Sequence, residues 1–286
     1  MAKYRSGCMT EESYDIISRD GLNLKGRSWL PDMEPSALIC LVHGHGEHIG
    51  RYQHVAEFFT QQGMAVFGMD LRGHGHSEGK KGHTPSYDLL LEDVEDLMKS
   101  ARVEFIETPM FLYGHSMGGN MVVNFLTSKK TLELHGAILS SPFLRLAMSP
   151  PAILLKLAKM MRNIWPAFSA SSGLDPNGIS SIAAEVAKYK NDPLVHSRIT
   201  SQLSLSLIEA GEKAIGKAGE LNIPVLAFHG GQDKITSMEA TKEFASKAPR
   251  YVTFHLWETS KHETHYDVDR EKVLHLVADW VQQQLA

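Results

Sequence analysis

Cysteine is nearly absent from this chain: Cys8 and Cys40 are the two in 286 residues. Two thiols cannot staple a domain of this length, so the fold must rest on its core, and a reducing compartment such as the cytoplasm is the expectation. Long apolar runs are missing as well. No stretch approaches the roughly 18 apolar residues of a membrane-crossing helix. The opening Met-Ala-Lys-Tyr-Arg-Ser-Gly-Cys lacks the apolar centre of a secretion signal. Basic excess is also absent: 29 Lys and Arg face 33 Asp and Glu, a net charge of −4. That balance argues against nucleic acid as a partner. No internal repeat and no low-complexity tract interrupts the chain. What remains, 43% hydrophobic and 22% charged, is the composition of a globular protein able to bury a large core. One domain with a modest insertion is expected.

Short apolar runs recur at 37–42, 64–69, 110–113, 136–139, 224–228 and 251–257, each ending near Gly, Ser or Asp. Strands buried on both faces have this form. Between them lie helical patterns: Leu90, Val94, Leu97, Met98, Ala101 and Phe105 share one face, as do Val273, Leu276, Val277, Trp280 and Val281. The alternation predicts a mostly parallel sheet covered by helices on both faces. Residues 13–18 and 24–30 flank Asp20-Gly21 and predict a hairpin at the sheet edge. From 141 to about 221 the rhythm changes to helical patterns without a convincing strand. That stretch reads as a cap inserted into the sheet domain, giving a core of 1–141 and 222–286 and a helical cap of 142–221.

Gly114-His115-Ser116-Met117-Gly118 fits G-x-S-x-G, with a strand pattern before it and a helical pattern after it. In that context the motif is a nucleophile elbow, a sharp turn that exposes the serine hydroxyl above the sheet. A serine hydroxyl needs a base to remove its proton and an acid to orient that base. Asp233 follows one predicted strand and His262 the next, in the chain order such an elbow requires. His265 competes with His262 for the base, and Glu258 with Asp233 for the acid. Asp233 is preferred because it lies one strand earlier, on a loop that can reach behind the histidine.

The oxyanion of a tetrahedral intermediate needs donors already in place. Met117, just after the nucleophile, offers one backbone N–H. His45 in the Gly-rich Leu41-Val-His-Gly-His-Gly46 offers the other. The same loop, His43-Gly-His45-Gly-Glu47-His48, also has the look of an H-x-H-x-[DE]-H metal cluster to which His74, His76, His262 and His265 could be recruited. A metallohydrolase would not need an elbow, an acid and a base in order, so neither metal nor cofactor is expected. His43 reads as a support for the oxyanion loop, and Asp70 and Arg72 as scaffold.

Several blocks together resemble the monoglyceride lipase and lysophospholipase branch of the α/β-hydrolases. They are His43-Gly-His-Gly-Glu-His-Ile-Gly-Arg-Tyr52, Met69-Asp-Leu-Arg-Gly-His-Gly-His-Ser-Glu-Gly79, Gly114-His-Ser-Met-Gly-Gly119, Asn191-Asp-Pro-Leu194 and Gly230-Gly-Gln-Asp233. The resemblance runs from about Tyr14 to the C-terminus. It implies an α/β-hydrolase fold, with Ser116, Asp233 and His262 as a triad and His45 and Met117 as oxyanion donors. It implies a cap over an acyl-chain tunnel, and a polar pocket for glycerol at Glu47, Arg51 and His265. His45 is a departure, since this branch often carries a small residue there. The implied reaction is hydrolysis of a single-chain lipid ester, foremost a monoacylglycerol. A lysophospholipase or general carboxylesterase, a peptidase with the same triad, and a catalytically silent scaffold are the other readings.

Residues 143–170 contain four basic residues (Arg145, Lys156, Lys159, Arg162) and no acidic one. Pro150-Pro151 precedes a helical run whose stripe of Lys156, Lys159 and Asn163 leaves a wide apolar remainder. Two expectations follow: a lid helix packed on the sheet domain with a solvated basic stripe, or peripheral contact with an anionic membrane.

Overall fold

The structure, a computed structural model, describes residues 9–128 and 133–286; Cys8 and the opening segment lie outside the described residues. In chain order the elements are β1 (Thr10–Ile17), β2 (Asn23–Leu30), β3 (Ala37–Val42), α1 (Gln53–Gln61), β4 (Met64–Met69), α2 (Tyr87–Glu104), β5 (Met110–His115), α3 (Met117–Leu126) and β6 (Gly136–Ser140). Then come α4 (Ala152–Ile164), β7 (Ser169–Ser171), α5 (Ala183–Asn191), β8 (Arg198–Thr200), α6 (Ser201–Gly216), β9 (Val225–Gly230), α7 (Met238–Lys247), β10 (Val252–Trp257) and α8 (Arg270–Leu285). Eight strands form one sheet in the order β1-β2-β4-β3-β5-β6-β9-β10. β1, β2 and β4 pair antiparallel, and every other neighbour pairs parallel. The fold is that of the α/β-hydrolases. The expected hairpin is there, turning at Gly21 with φ +87°, a value glycine adopts without strain.

The central strands are buried along their whole length because two cores sandwich them. On one face Leu38, Cys40, Leu112 and Leu139 meet the Leu90, Val94, Leu97 and Met98 face of α2. On the other, Ile39, Leu41, Phe111 and Phe228 meet Phe59 of α1 and Val273, Val277 and Trp280 of α8. Alternation within each strand thus feeds both layers, which is why the sequence shows unbroken apolar runs. Between β6 and β9 the chain leaves the sheet for α4, α5 and α6, and α6 packs back on α3 and α7. One expectation fails here: the insertion does contain strand. β7 and β8 pair antiparallel, Ser169 with Thr200 and Ser171 with Arg198. At three residues each, they are too short to show an alternation of period two.

Candidate active site

The site begins with backbone geometry. Ser116 joins β5 to α3 at φ 52° and ψ −113°, a region that non-glycine residues avoid unless their surroundings enforce it. Gly118 helps enforce it: a Cβ there would lie 2.0 Å from the Val42 carbonyl oxygen. A Cβ at Gly114 would lie 2.5 Å from the Gly118 carbonyl. The turn can therefore close only over hydrogen at both glycines. Its backbone is bonded from Ser116 N–H to Ser140 O at 3.0 Å and from Phe143 N–H to Ser116 O at 2.9 Å.

Ser116, His262 and Asp233 come together from three separate loops. Ser116 Oγ is 3.0 Å from His262 Nε2, and His262 Nδ1 is 2.7 Å from Asp233 Oδ2. Burial alone would lower the His262 pKa, but the Asp233 carboxylate beside it outweighs burial and raises it above 6.5. Burial likewise pushes Asp233 up, and the two histidines it faces overcome this and hold it well below the usual carboxylate range. Of the rivals, Glu258 is exposed. His265 is fully buried and stacks on Tyr52 with ring centroids 5.1 Å apart.

The second histidine at the acid is His229, which the sequence reading passed over. It is fully buried at the end of β9, with Nε2 3.0 Å from Asp233 Oδ2 and Nδ1 2.9 Å from Thr241 Oγ1. Thr236 Oγ1 donates to the same carboxylate oxygen at 2.8 Å, and the backbone N–H groups of Ile235 and Thr236 donate to Oδ1 at 2.7 and 3.1 Å. The clue was in Phe228-His-Gly-Gly-Gln-Asp233: a histidine ending a strand four residues before the acid.

Above the elbow, Met117 opens α3, so its N–H is among the orphan donors at a helix start, where anions are favoured. His45 lies beside it in the cavity wall. Its ring is turned aside, with Nε2 3.0 Å from the Arg198 carbonyl oxygen, and packs edge-on to His74 and His196. Burial and His196 lower its pKa to about 4. A histidine fits at this position because its ring finds a partner in β8. His43 bridges locally: Nδ1 donates to Gly44 O at 2.7 Å, and Nε2 accepts from Leu71 N–H at 2.9 Å. His48 pairs with Asp192 at 2.8 Å. The histidines of the metal-like run thus point to separate partners. Among the described residues, the trio of potential metal ligands that does converge, within 4.8 Å, is Glu47, His115 and Glu263.

Arg51 already holds two of that trio, Glu47 and Glu263. Its Nη1 donates to Glu47 Oε2 at 2.5 Å and to Glu263 Oε1 at 2.8 Å, and Nη2 donates to Glu263 Oε2 at 2.7 Å. Tyr189 and Tyr266 each stack on the guanidinium, 4.7 and 4.8 Å from it. Glu47 also accepts from Gly44 N–H at 2.7 Å and from the Tyr52 hydroxyl at 2.8 Å. Burial raises the Glu263 carboxyl above its ordinary range; burial pushes Glu47 the same way, but Arg51, His43 and its hydrogen-bond donors outweigh it and bring Glu47 below its own. The resemblance had grouped Glu47, Arg51 and His265. Glu47 reaches the cavity wall, but Arg51 and His265 stand behind it, and Glu263 is the second residue to reach the surface.

The cavity beside Ser116 measures about 870 Å³, within the range of small-molecule sites. Glu47, His115 and Glu263 converge in its lining and, with Tyr189, give it a polar stretch; Phe143, Leu146, Leu207 and Ile208 are among its apolar residues, and Ile179 lies beside the polar group, its carbonyl accepting from Glu263 N–H at 2.8 Å. The apolar residues come from the insertion and its approaches. The scaffold loop below is tied as expected: Asp70 accepts from Ile49 N–H and His76 N–H, both at 2.8 Å. Arg72 is held between Asp93 and Asp20.

A serine hydroxyl, an imidazole and a carboxylate in this row, set on this sheet, define a serine ester hydrolase of the α/β-hydrolase superfamily. Residues 33–269 match the family described as serine aminopeptidase S33. The monoglyceride lipase of Mus musculus is 30% identical over 277 residues, which cover 95% of this chain and 90% of that one. An uncharacterized abhydrolase domain-containing protein of Dictyostelium discoideum is 33% identical over 97% of this chain, which spans 30% of that protein's length. The crystal structure of Paleococcus ferrophilus monoacylglycerol lipase superposes with a TM-score of 0.80 at 29% identity, covering 97% of this chain and all of that one. The chain belongs to the serine aminopeptidase S33 family, in the monoglyceride lipase branch of the α/β-hydrolases.

Proposed function

We propose that the chain hydrolyses monoacylglycerol to glycerol and a fatty acid through an acyl-enzyme on Ser116. The observation that carries this reading is the Ser116–His262–Asp233 row opening into a cavity lined by both apolar and polar side chains. His262 Nε2 accepts the Ser116 proton as Oγ attacks the ester carbonyl carbon. The N–H groups of His45 and Met117 receive the oxyanion. His262 then returns the proton to the departing glycerol oxygen, leaving the acyl group on Ser116. Water, activated by the same imidazole, attacks the acyl carbon and releases the fatty acid. Asp233 keeps the imidazole oriented and stabilises its charged form.

The acyl chain takes the apolar lining and the glycerol the polar stretch, with 142–221 acting as the cap. The mouse relative, a monoglyceride lipase by name, and the Paleococcus one, a monoacylglycerol lipase by name, support this choice. Contact with a lipid surface fits the same picture, because Ile153, Leu154, Leu157, Met160 and Ile164 of α4 all face solvent. Among the described residues no helix is long and apolar enough to cross a membrane. The test is a hydrolysis panel of monoacylglycerol, lysophospholipid, simple ester and peptide, run with excess chelator present and absent. Monoacylglycerol should give the highest kcat/KM, unchanged by the chelator. A higher value for peptide or lysophospholipid would overturn the reading.

A further inference from the structure

The polar stretch of the cavity has an unusual charge arrangement. Its one guanidinium, on Arg51, lies outside the cavity lining, whereas the two carboxylates it binds, Glu47 and Glu263, form part of that lining. Both acids are nearly inaccessible, at 2% and 3% exposure, so neither can swing out to free Arg51. Three of the Arg51 contacts go to these acids, and its faces are covered by Tyr189 and Tyr266. The cavity therefore meets acceptor oxygens where a cation would otherwise stand. With both acids ionised, two carboxylates and one guanidinium sum to one negative charge. With one acid protonated they sum to zero. Neither state offers positive charge to an anion.

We propose that Glu263, with Glu47, is a specificity determinant that admits esters of uncharged polyhydroxy alcohols and rejects those whose alcohol carries a phosphate. The inference rests on the reading that the ester's alcohol lies along this stretch. Each Glu263 oxygen accepts one bond from Arg51 and has a lone pair left for an alcohol O–H. A phosphate brings acceptors and negative charge to the same place, and would meet like charge in a site shielded from water. Two lysines also touch the cavity. Lys234 is exposed, and Lys261 Nζ donates to the Asn177 and Ser180 carbonyls at 2.8 and 3.1 Å. Two of the three Lys261 ammonium donors are thus committed to backbone carbonyls.

The test uses one acyl chain on three alcohols: glycerol, glycerol 3-phosphate and p-nitrophenol. The nitrophenyl ester reports whether Ser116 still turns over. Wild type should prefer the glycerol ester to the phosphorylated one by about 100-fold in kcat/KM. Glu263→Gln releases part of the hold on Arg51 and removes one acid, so that ratio should narrow by about tenfold. Glu263→Asp, which keeps the charge, should retain most of it. A purely structural role would lower both rates together and leave the ratio unchanged. Equal wild-type rates on the two glycerol esters, or an unchanged ratio in Glu263→Gln, would overturn the inference. Should Glu263→Gln not fold, the wild-type ratio and the Glu263→Asp ratio still decide. If wild type cleaved only the nitrophenyl ester, the monoacylglycerol reading would fall, and this inference with it.

Discussion

The floor of the site and the outer helix of the insertion handle polarity in opposite ways. Around Ser116, polar groups are buried and bonded in chains: Thr241 to His229, His229 to Asp233, Asp233 to His262, His262 to Ser116. On α4 no residue is buried, and large apolar side chains face water, Ile164 at 72% exposure and Ile153 at 62%. Buried polar groups are tolerated only when each is satisfied, and that requirement fixes geometry. An exposed apolar face fixes nothing within the chain and leaves α4 free to meet something else. The floor is thus built for positional accuracy, whereas the outer helix leaves apolar surface uncovered. Charge follows the same division. The basic excess of 143–170 is partly an internal matter, because Arg145 pairs with Glu212 and Glu243 and Arg162 with Glu209.

If this contrast is sound, damage to the floor should be severe and damage to α4 mild. Asp233→Asn should lower kcat by on the order of 10⁴, since it disturbs the tautomer and charge of His262. In wild type, His262 must be neutral to act. Its raised pKa places the acid limb of kcat/KM above pH 6.5, with activity lost as pH falls through that limb. A limb well below 6.5 would show that Asp233 does not hold the imidazole as described. Next in size is Arg72→Ala, which strands Asp93, a residue with a fully buried carboxylate. Chemical denaturation should show a loss of about 3–5 kcal/mol.

A smaller effect should mark the outer end of the relay. His229→Leu removes a donor to Asp233 and should lower kcat about tenfold, the scale of one hydrogen bond to a charged group. His229→Gln, which can still donate, should recover most of that rate. Equal loss in both variants would reduce His229 to a packing residue. The mildest outcome should come from α4. Changing Lys156 and Lys159 to Glu, or Leu154 and Leu157 to Ser, should shift stability by within about 0.5 kcal/mol, as for other exposed sites. Activity on vesicle-borne substrate should fall, more so at low salt for the lysine pair, while a short soluble ester is cleaved as before. Normal cleavage of both substrates would leave α4 a lid helix only.

The sheet and the elbow were legible because local rules dictate them. A strand buried on both faces must be apolar throughout, and a turn as tight as the one at Ser116 must have glycine at 114 and 118. Asp233 and His262 were legible through chain order alone. What the sequence hid is what depends on which face of a wall a side chain reaches. Arg51 and Glu47 sit four residues apart, yet the cavity lining includes only Glu47. Glu263, next to His262, carries no signal of its own in the sequence; its place comes from Arg51, which joins it to Glu47. His229 was hidden among fifteen histidines, and β7 and β8 by their length. Part of the charge of the insertion has partners the local sequence does not show: the acids that pair with Arg145 and Arg162 lie on α6 and α7.

The central claim is that ester cleavage passes through a covalent bond to Ser116. It is tested most directly by locating a fluorophosphonate adduct by peptide mass spectrometry, together with monoacylglycerol turnover by wild type and folded Ser116→Ala. The account predicts an adduct on Ser116, glycerol and fatty acid released in equal amounts by wild type, and a loss on the order of 10⁶ in kcat for the variant. An adduct elsewhere, or undiminished turnover by folded Ser116→Ala, would contradict it.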